Sequence, residues 1–147
     1  MDRNDVTELI VTTRLSKALK WSEVADAVGS SKEWVTAACL GQMAFSATQA
    51  RAVVELFELP EEALALLTKA PYRGSLPTAV PTDPLIYRFY ELVSVYGTTF
   101  KELIDEEFGD GIMSAIDFDM DLSREPNPAG DRVRIVMSGK FLAYKTY

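Results

Sequence analysis

Arg88 and Glu91 stand three residues apart in YRFYELVSVYGTTF, among Tyr87, Phe89 and Tyr90. On a helix that spacing puts a guanidinium and a carboxylate on one face. Ordinary surface decoration is one reading of the pair. The aromatic neighbours support another, in which the arginine is partly desolvated and needs Glu91 or a small oxyanion to hold it there. Ser114, in GDGIMSAI just before a strand pattern, is either a structural strand-entry serine or a neutral hydrogen-bond donor to an anion. Gly109 and Gly111 serve backbone geometry, because the loop lacks the lysine and spacing of a phosphate cradle.

The chain contains no histidine, which removes Ser-His-Asp triads, Cys-His dyads and histidine-ligated metals. As a nucleophile Ser114 would have no imidazole base, and no spacing recommends Lys101 or Lys140 instead. Acid–base chemistry near neutrality must therefore use other side chains or a proton carried by the substrate. Asp117, Asp119 and Asp121 alternate onto one strand face, without the glycine and distal glutamate of a calcium loop, so no metal site is expected. A solvated or arginine-paired face fits them better.

The chain has 147 residues, 48% of them apolar, and a formal charge of −7. That supports a packed core and opposes non-specific attraction to nucleic acid or an anionic membrane. There is no apolar run of roughly eighteen residues or more and no secretory pattern at the N-terminus. Cys39 is the single cysteine, which excludes an intrachain disulfide and fits the cytoplasm.

The elements that must position these residues fall into two parts. The first seventy residues read as helices. Val6–Leu19 has helical apolar spacing. Ser22 is expected to cap a helix through Val28, stopped by Gly29; Ser30 or Ser31 caps the next, through Leu40, with Gly41 after it. That pair resembles a helix-turn-helix, and helices over Thr48–Phe57 and Pro60–Leu67 complete a small bundle. DNA binding would need more Arg, Lys, Asn and Gln than Lys32 and Gln42 supply on the second helix, and acidic residues outnumber basic ones over 1–70. A helix-turn-helix regulator with a C-terminal dimerisation domain is thus the alternative, and a purely structural oligomer a third reading.

The proline-rich APYRGSLPTAVPTDP places a boundary near Ala70–Thr82, giving a helical domain over 1–75 and a second domain over 76–147. Asp83-Pro84 opens a helix to Tyr96, Gly97 stops it, and Thr99 with Glu102 boxes another ending near Phe108-Gly109. Ala115–Leu122 alternates apolar and acidic residues, as a strand with one buried face does. PNPAGD makes a turn into a strand over Arg132–Met137, whose Arg132 and Arg134 can oppose the aspartates, and Gly139–Tyr147 forms an extension. A lone hairpin is marginally stable, so missing strands and apolar cover are expected from another subunit.

The block PTDPLIYRFYELVSVYGTTFKELIDEEFGDGIMSAIDF strongly resembles the cyanase (cyanate hydratase, cyanate lyase) family. WVTAACLGQ, PYRG and GKFLAYK extend the resemblance over essentially the whole chain. It implies an α+β fold, with a helix-turn-helix-like bundle followed by helices and a β-hairpin that form an intertwined dimer. Five such dimers would make a homodecamer with sites at subunit interfaces. It implies bicarbonate-dependent decomposition of cyanate to carbon dioxide and carbamate, with bicarbonate as co-substrate and no cofactor. By motif position the catalytic trio falls on Arg88, Glu91 and Ser114, and Ile112 and Leu142 match apolar positions near the site. Ala143 departs from a proline common in the family tail.

Overall fold

The computed structural model describes residues 1–74 and 76–146. Ser75, where the expected boundary falls, and Tyr147, the end of the expected extension, lie outside the described residues. The chain divides into two compact units, Met1–Ser75 and Leu76–Tyr147.

The first unit holds α1 (Arg3–Ser16), α2 (Trp21–Val28), α3 (Lys32–Cys39), α4 (Ala47–Phe57) and α5 (Ala63–Thr68). Local side-chain chemistry starts most of them. The Asp2 carboxylate accepts the N–H groups of Asn4 at 2.7 Å and Asp5 at 3.0 Å. Ser31 Oγ accepts from Trp34 N at 3.3 Å. Ser46 and Gln49 exchange reciprocal bonds at the head of α4, at 3.3 and 3.0 Å. At α2 the expected cap is corrected. Lys20, not Ser22, is the boundary residue, and its N–H donates to the Glu23 carboxylate at 2.6 Å. Gly29, at φ 77°, ends that helix in the left-handed region. Pro60–Glu62 makes a turn ahead of α5, with Ala63 N donating to Pro60 O at 2.9 Å, so the helix starts later than expected.

Apolar residues at helical spacing turn inward from all five helices. Val6, Ile10, Val24, Val35, Val53, Phe57 and Leu67 are buried. Each such side chain stabilises the unit by about 1.5–3 kcal/mol relative to exposure. Cys39 lies in this core, and burial pushes its thiol up to about 12 although the Arg3 charge acts the other way.

The second unit contains α6 (Pro84–Phe108), β1 (Gly111–Glu125) and β2 (Arg132–Ala143). Asp83 caps α6, accepting from Leu85 N at 2.9 Å and Ile86 N at 3.0 Å, with Pro84 in the first turn. Two helices were expected here; there is one, of 25 residues, running through Gly97. Gly97 keeps a negative φ, and a glycine inside a helix costs only about 1 kcal/mol relative to alanine. Without a break, Thr99 and Glu102 have no end to cap.

The hairpin is longer than its alternating core. β1 begins at Gly111, ahead of Ala115, and β2 runs past Met137 to Ala143, so most of the expected extension is strand. In the antiparallel register Ser123 faces Arg134 and Glu125 faces Arg132. The expected aspartate–arginine ladder therefore reduces to a diagonal contact of 4.0 Å between Arg134 and Asp121. At the turn, Gly130 N donates to Asn127 O at 3.0 Å and Arg124 pairs with Asp131 at 2.8 Å.

The buried strand face is also corrected for the single chain. Ile116 is 98% exposed, and Met120 and Leu122 are exposed too. Among the described residues of this unit only Pro81, Gly111 and Ser114 are buried. One helix and two strands have too little surface to cover one another. Leu85, Phe89, Leu92, Val93, Tyr96 and Phe100 of α6 all remain open, far more contiguous apolar surface than a solitary domain usually leaves to water.

Candidate active site

The i, i+3 spacing on α6 brings Arg88 Nη1 to 2.8 Å from Glu91 Oε2. The rings of Tyr87 and Tyr90 stack beside the pair with centroids 5.8 Å apart. The expected desolvation is absent within one chain, where the arginine side chain is 67% exposed and the glutamate 45%. The hollow around them is lined by α6 alone, through Tyr87, Arg88, Tyr90, Glu91, Ser94 and Val95 among others. One helix supplies a charged, aromatic wall, and the hollow is open on its other side.

Ser114 is inside β1, past its first residues, rather than ahead of the strand. It opens a bulge. Met113 faces Phe141 and Phe118 faces Gly139, so Ser114 through Asp117 lie against Lys140 alone. The hydroxyl repairs the local loss of ladder bonds, with Oγ accepting from Ile116 N at 3.0 Å and Asp117 N at 2.9 Å. Ser114 is 5% exposed. An oxygen that accepts two N–H bonds in this way keeps its own proton to donate. Ile112 and Leu142 are direct ladder partners next to the bulge, each about half exposed.

The Arg88–Glu91 pair and Ser114 stand apart in one chain. From Arg88 to Phe108 the helix rises about 30 Å. The Ser114 region is tied to the far end, because Phe141, the partner of Met113, has its ring 5.3 Å from that of Phe108. Tyr144 N also donates to Asp110 O at 3.1 Å, just beyond the helix.

Of the two lysines, Lys101 is engaged by Asp105 at 2.8 Å and Asp110 at 3.7 Å. Its hydrogen bond to Asp105 raises its pKa, keeping it a cation rather than a base. Among the described residues no group of three or more His, Cys, Asp or Glu is arranged to hold a metal ion, and no helix is long and apolar enough to cross a membrane. In the first unit, Lys32, the single cationic residue of α3, pairs with Glu33 at 2.7 Å, which weakens its attraction for a phosphate.

One residue of this region escaped the sequence reading. Gly139, facing Phe118 where the bulge closes, stood there only as the start of an extension. Its signal was a glycine within an otherwise strand-like run, SGKFLA, which often marks close backbone approach.

Similarity to known proteins extends along nearly the whole chain. The family model for the cyanate hydratase N-terminal domain matches residues 3–71, and that for the cyanate lyase C-terminal domain matches 78–146. Cyanate hydratases of Cupriavidus necator and Ralstonia pickettii are each 71% identical over 147 residues, covering all of both chains. The crystal structure of cyanase from T. urticae superposes with a TM-score of 0.81 at 36% identity, covering 94% of this chain and 96% of that one.

Proposed function

The chain belongs to the cyanate hydratase family, and from that premise we propose that it decomposes cyanate with bicarbonate, giving carbon dioxide and carbamate. The observation that carries the proposal is the 71% identity to named cyanate hydratases along the entire chain. Carbamate then falls apart to ammonia and a second carbon dioxide.

Both reactants are monoanions, and the protein itself carries −7. Bringing them together is the first difficulty. A full positive charge about 4 Å away offsets roughly 4 kcal/mol of that repulsion at an effective dielectric near 20. Arg88 supplies that charge. Glu91 holds the guanidinium in orientation through the 2.8 Å contact. Ser114 donates its remaining proton to an oxyanion, in a frame already set by two backbone N–H bonds.

In the step itself a bicarbonate oxygen bonds to the cyanate carbon, and the bicarbonate proton passes to nitrogen. The bond between the bridging oxygen and the former bicarbonate carbon then breaks, releasing carbon dioxide. A second proton, from solvent, completes carbamate. No side chain must exchange a proton, so a protein without histidine can act by orientation and charge alone. Bicarbonate is co-substrate, and the scheme needs no other cofactor.

Arg88 and Ser114 meet when different protomers supply them. The open apolar face of α6 and the uncovered hairpin support a homo-oligomer, an intertwined dimer repeated five times as a decamer in our reading, with Ile112 and Leu142 as apolar walls of the interface site. The catalytic and dimerisation role falls to residues 76–147. A buried, neutral Cys39 and a chain without disulfides suit the cytoplasm. The acidic first unit and the sparse cations of α3 argue against nucleic acid as a partner.

Ammonia release from cyanate, with and without bicarbonate, tests the proposal. Turnover is expected only with both. Undiminished turnover after bicarbonate depletion, or none with both present, would contradict it.

A further inference from the structure

Gly139 and Ser114 lie closer across the hairpin than any side chain would allow. A Cβ on Gly139 would overlap the carbonyl oxygen of Ser114 and come within 2.7 Å of Met113 Cγ. The methionine side chain can swing away; the carbonyl cannot, because it belongs to the backbone of the bulge. The backbone of Gly139 is not left-handed, so the requirement is for space rather than for conformation. Gly130 in the turn shows the opposite case, with φ 121° and nothing within 4 Å of where its Cβ would sit.

The same carbonyl belongs to the residue whose Oγ gathers the N–H groups of Ile116 and Asp117. Displacing one end of that peptide tilts the other. We infer that Gly139 is a positioning residue: its bare backbone lets β2 rest against the Ser114 peptide and thereby sets where the Ser114 hydroxyl points. The inference rests on the reading of Ser114 as an oxyanion donor given above. Gly139 touches no reactant and acts through Ser114.

A shift of about 1 Å in a positioned catalytic group can cost on the order of a hundredfold in rate. Gly139→Ala is therefore expected to lower kcat by roughly that factor with KM little changed, in a protein that still assembles. In a Ser114→Ala background it should lower turnover no further, since its effect passes through that hydroxyl. Amide exchange at Ile116 and Asp117 should quicken in Gly139→Ala, while the ladder around Ser123 and Arg134 keeps its protection.

The double variant Gly139→Ala/Met113→Ala removes the side-chain collision and keeps the carbonyl one; it should assemble and stay slow. Three results would overturn the inference: full turnover in Gly139→Ala, recovery of turnover in the double variant, or failure of both variants to assemble, which would make Gly139 a folding residue. Full turnover in Ser114→Ala would instead strike at the reading beneath it.

Discussion

Arg88 Nη1 lies 2.8 Å from Glu91 Oε2 one turn along α6, yet in the single chain the arginine side chain is two-thirds open and the glutamate nearly half. As a stabilising feature such an exposed pair contributes only about 0.2–0.5 kcal/mol. In the proposed role, as a brace for a cation in an assembled pocket, its importance is far larger. Glu91→Gln should therefore leave the thermal unfolding of the oligomer nearly unchanged and reduce cyanate-dependent ammonia release at least roughly tenfold. A variant with normal turnover would show that Arg88 needs no carboxylate.

Ser114 has a structural duty in the bulge and, in the proposed scheme, a second as oxyanion donor; one substitution with two readouts tells them apart. Ser114→Ala leaves the bulge amides of Ile116 and Asp117 without their protein acceptor, at about 0.5–1.5 kcal/mol each because water can replace it. It also removes the donated proton. Exchange at those two amides should quicken and turnover should fall by roughly 10²–10³, with the oligomer still formed by size-exclusion chromatography. Quickened exchange with full turnover would leave Ser114 only its structural duty.

Cys39 provides a pH test of the first unit. Its thiol is raised from 9.0 to about 12, chiefly by burial. The folded state thus favours the neutral thiol, so this contribution to stability is complete below pH 9.0 and fades as pH rises toward about 12. Wild type should lose stability over that window more steeply than Cys39→Ala. Parallel curves would contradict the assignment. At pH 8 the native thiol should resist iodoacetamide and react only after unfolding.

Sequence reading located the pieces whose causes are local. Ser31, Gly29 and Asp83-Pro84 act on neighbours a few residues away, so their roles are written in short words of the chain. Gly97 misled because a glycine weakens a helix without necessarily ending it, and the surroundings decide. The bulge at Ser114 was hidden by the regular alternation of AIDFDMDL, since a register shift exists only relative to the partner strand. The uncovered strand face and the exposed Arg88 have a related cause. Alternation and aromatic neighbours announce burial, but the single chain does not supply the covering surface. The types of Arg88, Glu91 and Ser114 were legible, and so was the i, i+3 pairing of the first two; the distance one chain puts between that pair and Ser114 is written in no local pattern.

Mixing two inactive chains tests the central claim, an anion site shared between protomers, most directly. Arg88→Leu retains Ser114, and Ser114→Ala retains Arg88 and Glu91. Each alone should assemble with little turnover. Denatured together and refolded into common oligomers, they should recover a substantial fraction of wild-type ammonia release, because some interfaces then unite an intact Arg88 with an intact Ser114. Mixed oligomers that form but remain as inactive as their parents would contradict the claim.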